Sequence, residues 1–135
     1  MTDSELISFA EGWIAFWNAQ DGSKEREALS WVWDKEYDLM QKEPEQIWQL
    51  ILEVLRLNSS DNIQEVLSAG PLEDLLAKYG ELFIGKVETE AKSNPLFAQL
   101  LGGVWQNSMS DDIWLRVQAA QDRRGWDGIP KRGAP

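Results

Sequence analysis

The stretch Pro44-Glu45-Gln46-Ile47-Trp48-Gln49-Leu50-Ile51-Leu52-Glu53-Val54-Leu55-Arg56-Leu57 decides the fold class. Its apolar residues recur at helical spacing and cover well over half of a helical wheel. Glu45, Gln46, Gln49, Glu53 and Arg56 are left as a polar strip. Pro44 stands at the first helical position, where its missing N–H costs little. A helix this apolar must be surrounded by others, so it is expected at the centre of a core.

Working outward, the residues before it read as two more helices. The first runs from a cap at Thr2 or Asp3 to about Ala19, with Leu6, Ile7, Phe9, Ala10, Trp13, Ile14, Phe16 and Trp17 on its broad apolar face. Asp21-Gly22-Ser23 makes a turn in which Ser23 is the natural N-cap of the next helix. That helix is expected over 24–42, burying Leu29, Val32, Trp33, Tyr37 and Met40.

Beyond residue 57 the helices shorten. Asp61 and Gln64 fit a capping box for a helix from Ile63 to Ala69, closed by Gly70. Pro71 is expected to open another helix, with Leu72, Leu75, Leu76 and Tyr79 along it and Gly80 at its end. A segment over 82–92 stops at Asn94-Pro95, and a short helical turn over 95–101 precedes Gly102-Gly103, which should let Trp105 pack inward. Ser110 caps a last helix carrying Asp111 and Asp112 in its first turn, where the helix dipole favours negative charge. No strand-like alternation occurs. The expectation is an all-α fold: a compact multi-helix bundle, with two or three longer N-terminal helices followed by a layer of short antiparallel helices. Residues 1–127 form one domain in this reading, and 128–135 an irregular tail.

Composition narrows the chemistry. Cysteine and histidine are both absent from the 135 residues, which removes disulfides, thiolate or imidazole metal sites and Ser-His-Asp catalysis. No cofactor or metal is expected. Glu5 and Glu11 interrupt the first apolar segment and no basic residue precedes it, so no signal peptide is read there. No apolar run reaches the roughly 18 residues of a membrane span, and a cytoplasmic, non-membrane protein is expected.

The formal net charge is −10. Residues 1–90 hold 19 acidic and 7 basic side chains, whereas 91–135 hold 4 and 6. Such a field repels phosphate backbones, so nucleic acid is not an expected partner, and it speeds encounter with a basic protein. The same charge also serves plain solubility.

Eight tryptophans are present. Trp13, Trp17, Trp33 and Trp48 fall within apolar stripes and are expected in the core. Trp31 falls opposite Trp33 on the wheel, beside Glu27, Asp34, Lys35 and Asp38. A large aromatic among charges is the usual make-up of an interface anchor, so Trp31, Glu27, Asp34 and Asp38 are the candidate partner-binding residues. The acidic pairs Glu73-Asp74, Asp111-Asp112 and Glu88/Glu90 are potential acid–base carboxylates, but helix starts account for the first two more simply. Arg123, Arg124 and Trp126, together with Trp105, form a cluster able to clamp an anionic ligand or to latch the C-terminus onto the body. A contact from Glu73 or Asp74 to Arg123 or Arg124 would make that latch.

Several strings are specific enough to suggest kinship: Ala69-Gly70-Pro71-Leu72-Glu73-Asp74-Leu75-Leu76, Leu101-Gly102-Gly103-Val104-Trp105, and Asp122-Arg123-Arg124-Gly125-Trp126. With Trp48, Ile51-Leu52 and Trp114 they resemble a bacterial family of uncharacterised helical proteins, over about residues 44–127. The resemblance implies a helical fold and a bacterial source, and it brings no catalytic residues. Three functions stay open at this point. The first is a non-catalytic protein-binding module, an immunity or inhibitor protein neutralising a basic effector. The second is a structural or adaptor domain acting through homo-oligomerisation. The third is a small-ligand binder or carboxylate-based enzyme.

Overall fold

A computed structural model describes residues 1–121, and every regular element among them is helical. The expected tail over 128–135 and the cluster of Arg123, Arg124 and Trp126 lie outside the described residues, as does any contact they make with Glu73 or Asp74. The chain divides into two compact units, residues 1–59 and the part from Ser60 onward.

In the first unit, α1 (Asp3–Asn18) begins with a capping box. The Glu5 N–H donates to the Thr2 hydroxyl at 3.1 Å, and the Thr2 N–H donates back to the Glu5 carboxylate at 2.9 Å. Two of the helix's orphan donors are thereby satisfied. Phe9, Ala10, Trp13 and Phe16 point inward. They meet α4 (Pro44–Leu57), whose Ile47, Trp48, Leu50, Ile51, Val54 and Leu55 are buried, as its apolar wheel demands.

The helix expected over 24–42 is two helices. After α2 (Lys24–Ala28), Leu29 takes φ −102° and ψ 11°, and α3 (Trp31–Lys42) starts afresh. The buried stripe of α3 also differs from expectation. Val32 and Met40 are inside with Leu39, but Trp33 and Tyr37 face solvent. The reason lies at Glu36, a charge that argues against an inward face at that position. Its carboxylate accepts a 2.7 Å hydrogen bond from the indole N–H of buried Trp13. With Glu36 given a partner, the 32/36/39/40 face can turn inward, and 33 and 37 turn out.

The second unit begins with α5 (Asp61–Leu67), capped by the Ser60 hydroxyl and not by Asp61. Gly70 and Pro71 neither end nor start a helix. The chain passes through a π-helical turn (Ser68–Leu72) directly into α6 (Glu73–Ser93). Proline lacks the N–H of the regular ladder and its ring crowds the preceding turn, and a widened turn accommodates both. Gly80 does not end α6 either. Tyr79 kinks it with φ −132° and ψ 33°. Gly80 permits a close approach there, because a Cβ at that position would stand 3.0 Å from Ile113 Cγ1. Then follow α7 (Pro95–Leu100), a 3-10 turn (Leu101–Gly103) and α8 (Asp111–Ala120), capped by Ser110 as expected. Both α7 and α8 pack against α6.

Candidate functional site

Two arrangements of chemistry-bearing side chains stand out, one in each unit. The first is the outer face of α3. Residues four apart on a helix are neighbours, so Trp33, Tyr37 and Gln41 form one ladder and Asp34, Asp38 and Lys42 form the ladder beside it. Together these six residues line an open groove of about 580 Å³. Trp33 is 60% exposed and Tyr37 58% exposed. Trp33 leans on the half-buried Trp17 of α1, their ring centroids 6.3 Å apart. Asp38 holds the Lys42 ammonium at 2.8 Å, and that hydrogen bond, with the opposite charge, raises the Lys42 pKa.

Trp31, opposite Trp33 on the helix and outside the groove, is 43% exposed. Its ring lies on Gly12 of α1, where a Cβ would come within 2.6 Å of Trp31 Cζ2. Phe9 is its ring neighbour at 6.3 Å. Of the residues singled out beside Trp31, Asp34 and Asp38 share the groove, whereas Glu27 lines a separate hollow with Phe16, Arg26 and Ser30. The groove's aromatic wall, Trp33 and Tyr37, was missed by sequence reasoning because both were assigned to the core. The signal that would have found it is the pairing of two i,i+4 ladders, aromatic and acidic, one residue apart.

Close to that hollow the unit shows how it treats a cation of its own. The Arg26 guanidinium stands 5.0 Å from the Phe16 ring centroid and 5.2 Å from that of Trp17. It also donates to the Phe16 carbonyl at 3.1 Å and reaches Asp21 at 3.4 Å. Lys35 similarly sits 4.9 Å over Phe9.

The second arrangement surrounds Glu73, which is only 8% exposed. One carboxylate oxygen accepts the Trp105 backbone N–H at 2.8 Å, and the other accepts the Asn107 side-chain amide. Asn107 is in the left-handed region with φ 43°, a conformation that asparagine tolerates better than most residues. Gln106 spans the same loop, donating to the Met109 carbonyl at 3.2 Å and to Asp111 at 2.7 Å. Glu73 therefore does not serve a free helix start, since no helix starts at Pro71. It holds the loop from α7 to α8 in place. Trp105 does not pack inward as expected. Its backbone N–H is tied down, yet the residue is 51% exposed.

The other acidic candidates also have structural work. Glu88 accepts from Arg116 at 2.8 Å, and that bond lowers the Glu88 pKa. Glu90 accepts from the Asn94 amide at 3.0 Å. Asp111 and Asp112 lie in the first turn of α8. A hollow of about 420 Å³ at the Tyr79 kink is lined in part by Lys78, Glu81, Ser108 and Ser110, and not by Trp105. Among the described residues no three acids are grouped so as to hold a metal ion, and no helix is long and apolar enough to cross a membrane.

Comparison with known proteins matches no curated protein and no solved structure. One family does match, over residues 19–125, and so includes α2 and α3 as well as the strings around Glu73 and Trp105. The chain belongs to that family, DUF6869, a family of unknown function.

Proposed function

We propose that this chain is a non-catalytic protein-binding module that engages a basic protein through the outer face of α3, as an immunity or inhibitor protein does when it occludes a cationic effector. The observation that carries the reading is the exposure of Trp33, Tyr37 and Trp31 beside Asp34 and Asp38 on one helix. Exposed tryptophan and tyrosine are the residues that dominate binding energy at protein interfaces, and a rim of acids selects a cationic partner and raises its association rate. The surrounding unit reinforces that selection: residues 1–59 hold twelve acids against five bases, a net charge of −7.

The same charge weighs against the adaptor reading. A two-fold dimer through this face would bring together two copies of a unit with a net charge of −7, and like charges across an interface are repulsive. The test is capture from the native lysate at low salt on the wild-type chain and on an Asp34→Lys/Asp38→Lys variant. A basic protein retained stoichiometrically by the wild type, released by salt and lost from the variant, is the expected result. Equal retention on both baits would remove α3 from the interface. Recovery of the bait alone, as a dimer by light scattering, would move the function to self-assembly.

A further inference from the structure

We infer that the α3 groove is an arginine slot, built to take one arginine side chain of the basic partner flat against Trp33 and Tyr37 with its edge on Asp34 and Asp38. The inference rests on the protein-binding reading and adds to it the side chain that is read. Three observations carry it. The first is the register of the groove walls. An aromatic ladder and an acidic ladder run side by side, four residues between rungs and one residue between ladders. A guanidinium is planar, carries five N–H donors around its edge and is weakly hydrated on its faces, so it fits rings on one side and carboxylates on the other. An ammonium is a compact, strongly hydrated point charge that gains from the acids and less from the rings.

The second observation is internal. The same unit already binds an arginine in this manner, with Arg26 against Phe16 and Trp17 and its edge on a carbonyl and on Asp21. Chemistry that the fold satisfies with its own Arg26 is repeated on α3, where no arginine is among the described residues that line the groove.

The third is the groove's own cation. Lys42 stands at the end of the acidic ladder with its ammonium on Asp38. It occupies part of the electrostatic site that an incoming arginine would take, on a stem flexible enough to swing aside. Lys42 is therefore an intramolecular competitor that weakens unspecific cations and yields to a ligand that also gains the two rings.

Acetyl-tetra-arginine amide and acetyl-tetra-lysine amide, titrated separately into the whole chain, provide the test. The readout is the Trp33 indole N–H resonance, assigned by its loss in Trp33→Leu, with the backbone amides of Asp34 and Asp38. The arginine peptide should shift these signals and bind about threefold more tightly than the lysine peptide, the factor expected for exposed cation–π contact. Trp33→Leu should erase that preference. Lys42→Ala should tighten the arginine peptide about threefold, as loss of an exposed competing ion pair implies, and by more than Lys24→Ala, which removes the same charge from α2. Equal binding of both peptides, shifts spread over the acidic surface, or equal effects of Lys42→Ala and Lys24→Ala would overturn the slot. The outcome is separable from that of the binding module. A basic protein lost from the Asp34→Lys/Asp38→Lys bait, with no arginine preference at Trp33, leaves the module standing and removes the slot.

Discussion

Trp13 and Glu73 make the informative comparison between the two units. Each is buried, and each makes a polar connection far along the chain. Trp13 donates to Glu36 and so ties one helix to another, an arrangement in which regular helical faces do most of the packing. Glu73 accepts from the backbone of Trp105 and the side chain of Asn107 and so ties a helix to a loop. The N-terminal unit thus gets its order from periodic apolar stripes and can leave Trp33 and Tyr37 facing solvent. In the C-terminal unit a buried carboxylate helps to fix an irregular segment. The most conspicuous strings of the sequence, Gly70-Pro71-Leu72-Glu73 and Leu101-Gly102-Gly103-Val104-Trp105, are accounted for by architecture, while the plainer Trp33-Asp34-Lys35-Glu36-Tyr37-Asp38 carries the candidate interface.

The largest effect is expected at Glu73. Glu73→Leu leaves the Trp105 N–H and the Asn107 amide without their acceptor, and hydrogen bonds to a charged group contribute about 1.5–3 kcal/mol each. A loss near 3 kcal/mol in urea unfolding is expected, with an altered Trp105 environment. Glu73→Gln should lose less, since its carbonyl oxygen can still accept from Trp105. Equal losses for the two variants would show that shape, and not the paired acceptors, matters there. Trp13→Phe is the matching change in the first unit. It keeps most of the buried ring and deletes one donor, and should cost about 1–2 kcal/mol.

The two glycines that accept a neighbour's close approach sharpen the contrast. Gly80→Ala puts a methyl 3.0 Å from buried Ile113, at a kink where neither partner can move freely. A net loss of about 1–2 kcal/mol is expected, as for overpacking, with Ile113→Val restoring part of it. Gly12→Ala meets Trp31 more closely still, but at the far rim of a partly exposed ring that can swing away. Removing glycine from a helix interior gains about 1 kcal/mol, so this variant should be close to neutral while increasing the exposure of Trp31. Comparing the two by chemical denaturation tests whether the crowding or the glycine itself governs stability. On the same face, Trp33→Ala should cost less than about 1 kcal/mol because the ring is mainly solvated, even where it abolishes binding.

How much of this was legible follows from the same residues. The all-helical class, the central place of 44–57 in its unit, and the caps at Thr2, Ser23 and Ser110 were readable, because periodicity and capping are local. The break at Leu29 and the continuity through Pro71 were not, because each trades a local preference against packing. Glu36 shows why the wrong face of α3 was assigned. A charged residue reads as outward unless its partner is known, and that partner, Trp13, lies 23 positions earlier. Glu73 was placed at a helix start for a similar reason, since its partners lie 32 and 34 positions later. The candidate site was half visible: Asp34 and Asp38 were named with Trp31, while the aromatic wall they share was assigned to the core.

The smallest effects expected are electrostatic, and they have opposite signs on two carboxylates of α6. Asp74 is held above the usual carboxylate range, first by desolvation and then by the neighbouring Glu73 charge. Its charged form therefore works against the fold at neutral pH, and the penalty is relieved as pH falls, ending below about 3.9, the ordinary aspartate value. Asp74→Asn should stabilise at pH 7 by no more than about 0.5 kcal/mol once solvent screening is discounted, and that gain should vanish in acid. Glu88 is lowered, chiefly by the hydrogen bond from Arg116. Its contribution is complete above about pH 4.3, the ordinary glutamate value, and is lost as pH falls through the lowered folded-state value. Glu88→Gln should therefore destabilise at pH 7, less so in high salt because the pair is exposed, and should match the wild type in strong acid. Parallel pH titrations of unfolding for the two variants should converge on the wild-type curve in acid from opposite sides if the two environments differ as described. If both variants shift stability in the same direction, net charge on α6 governs the response, and neither the Arg116 pairing nor the desolvation at Asp74 does.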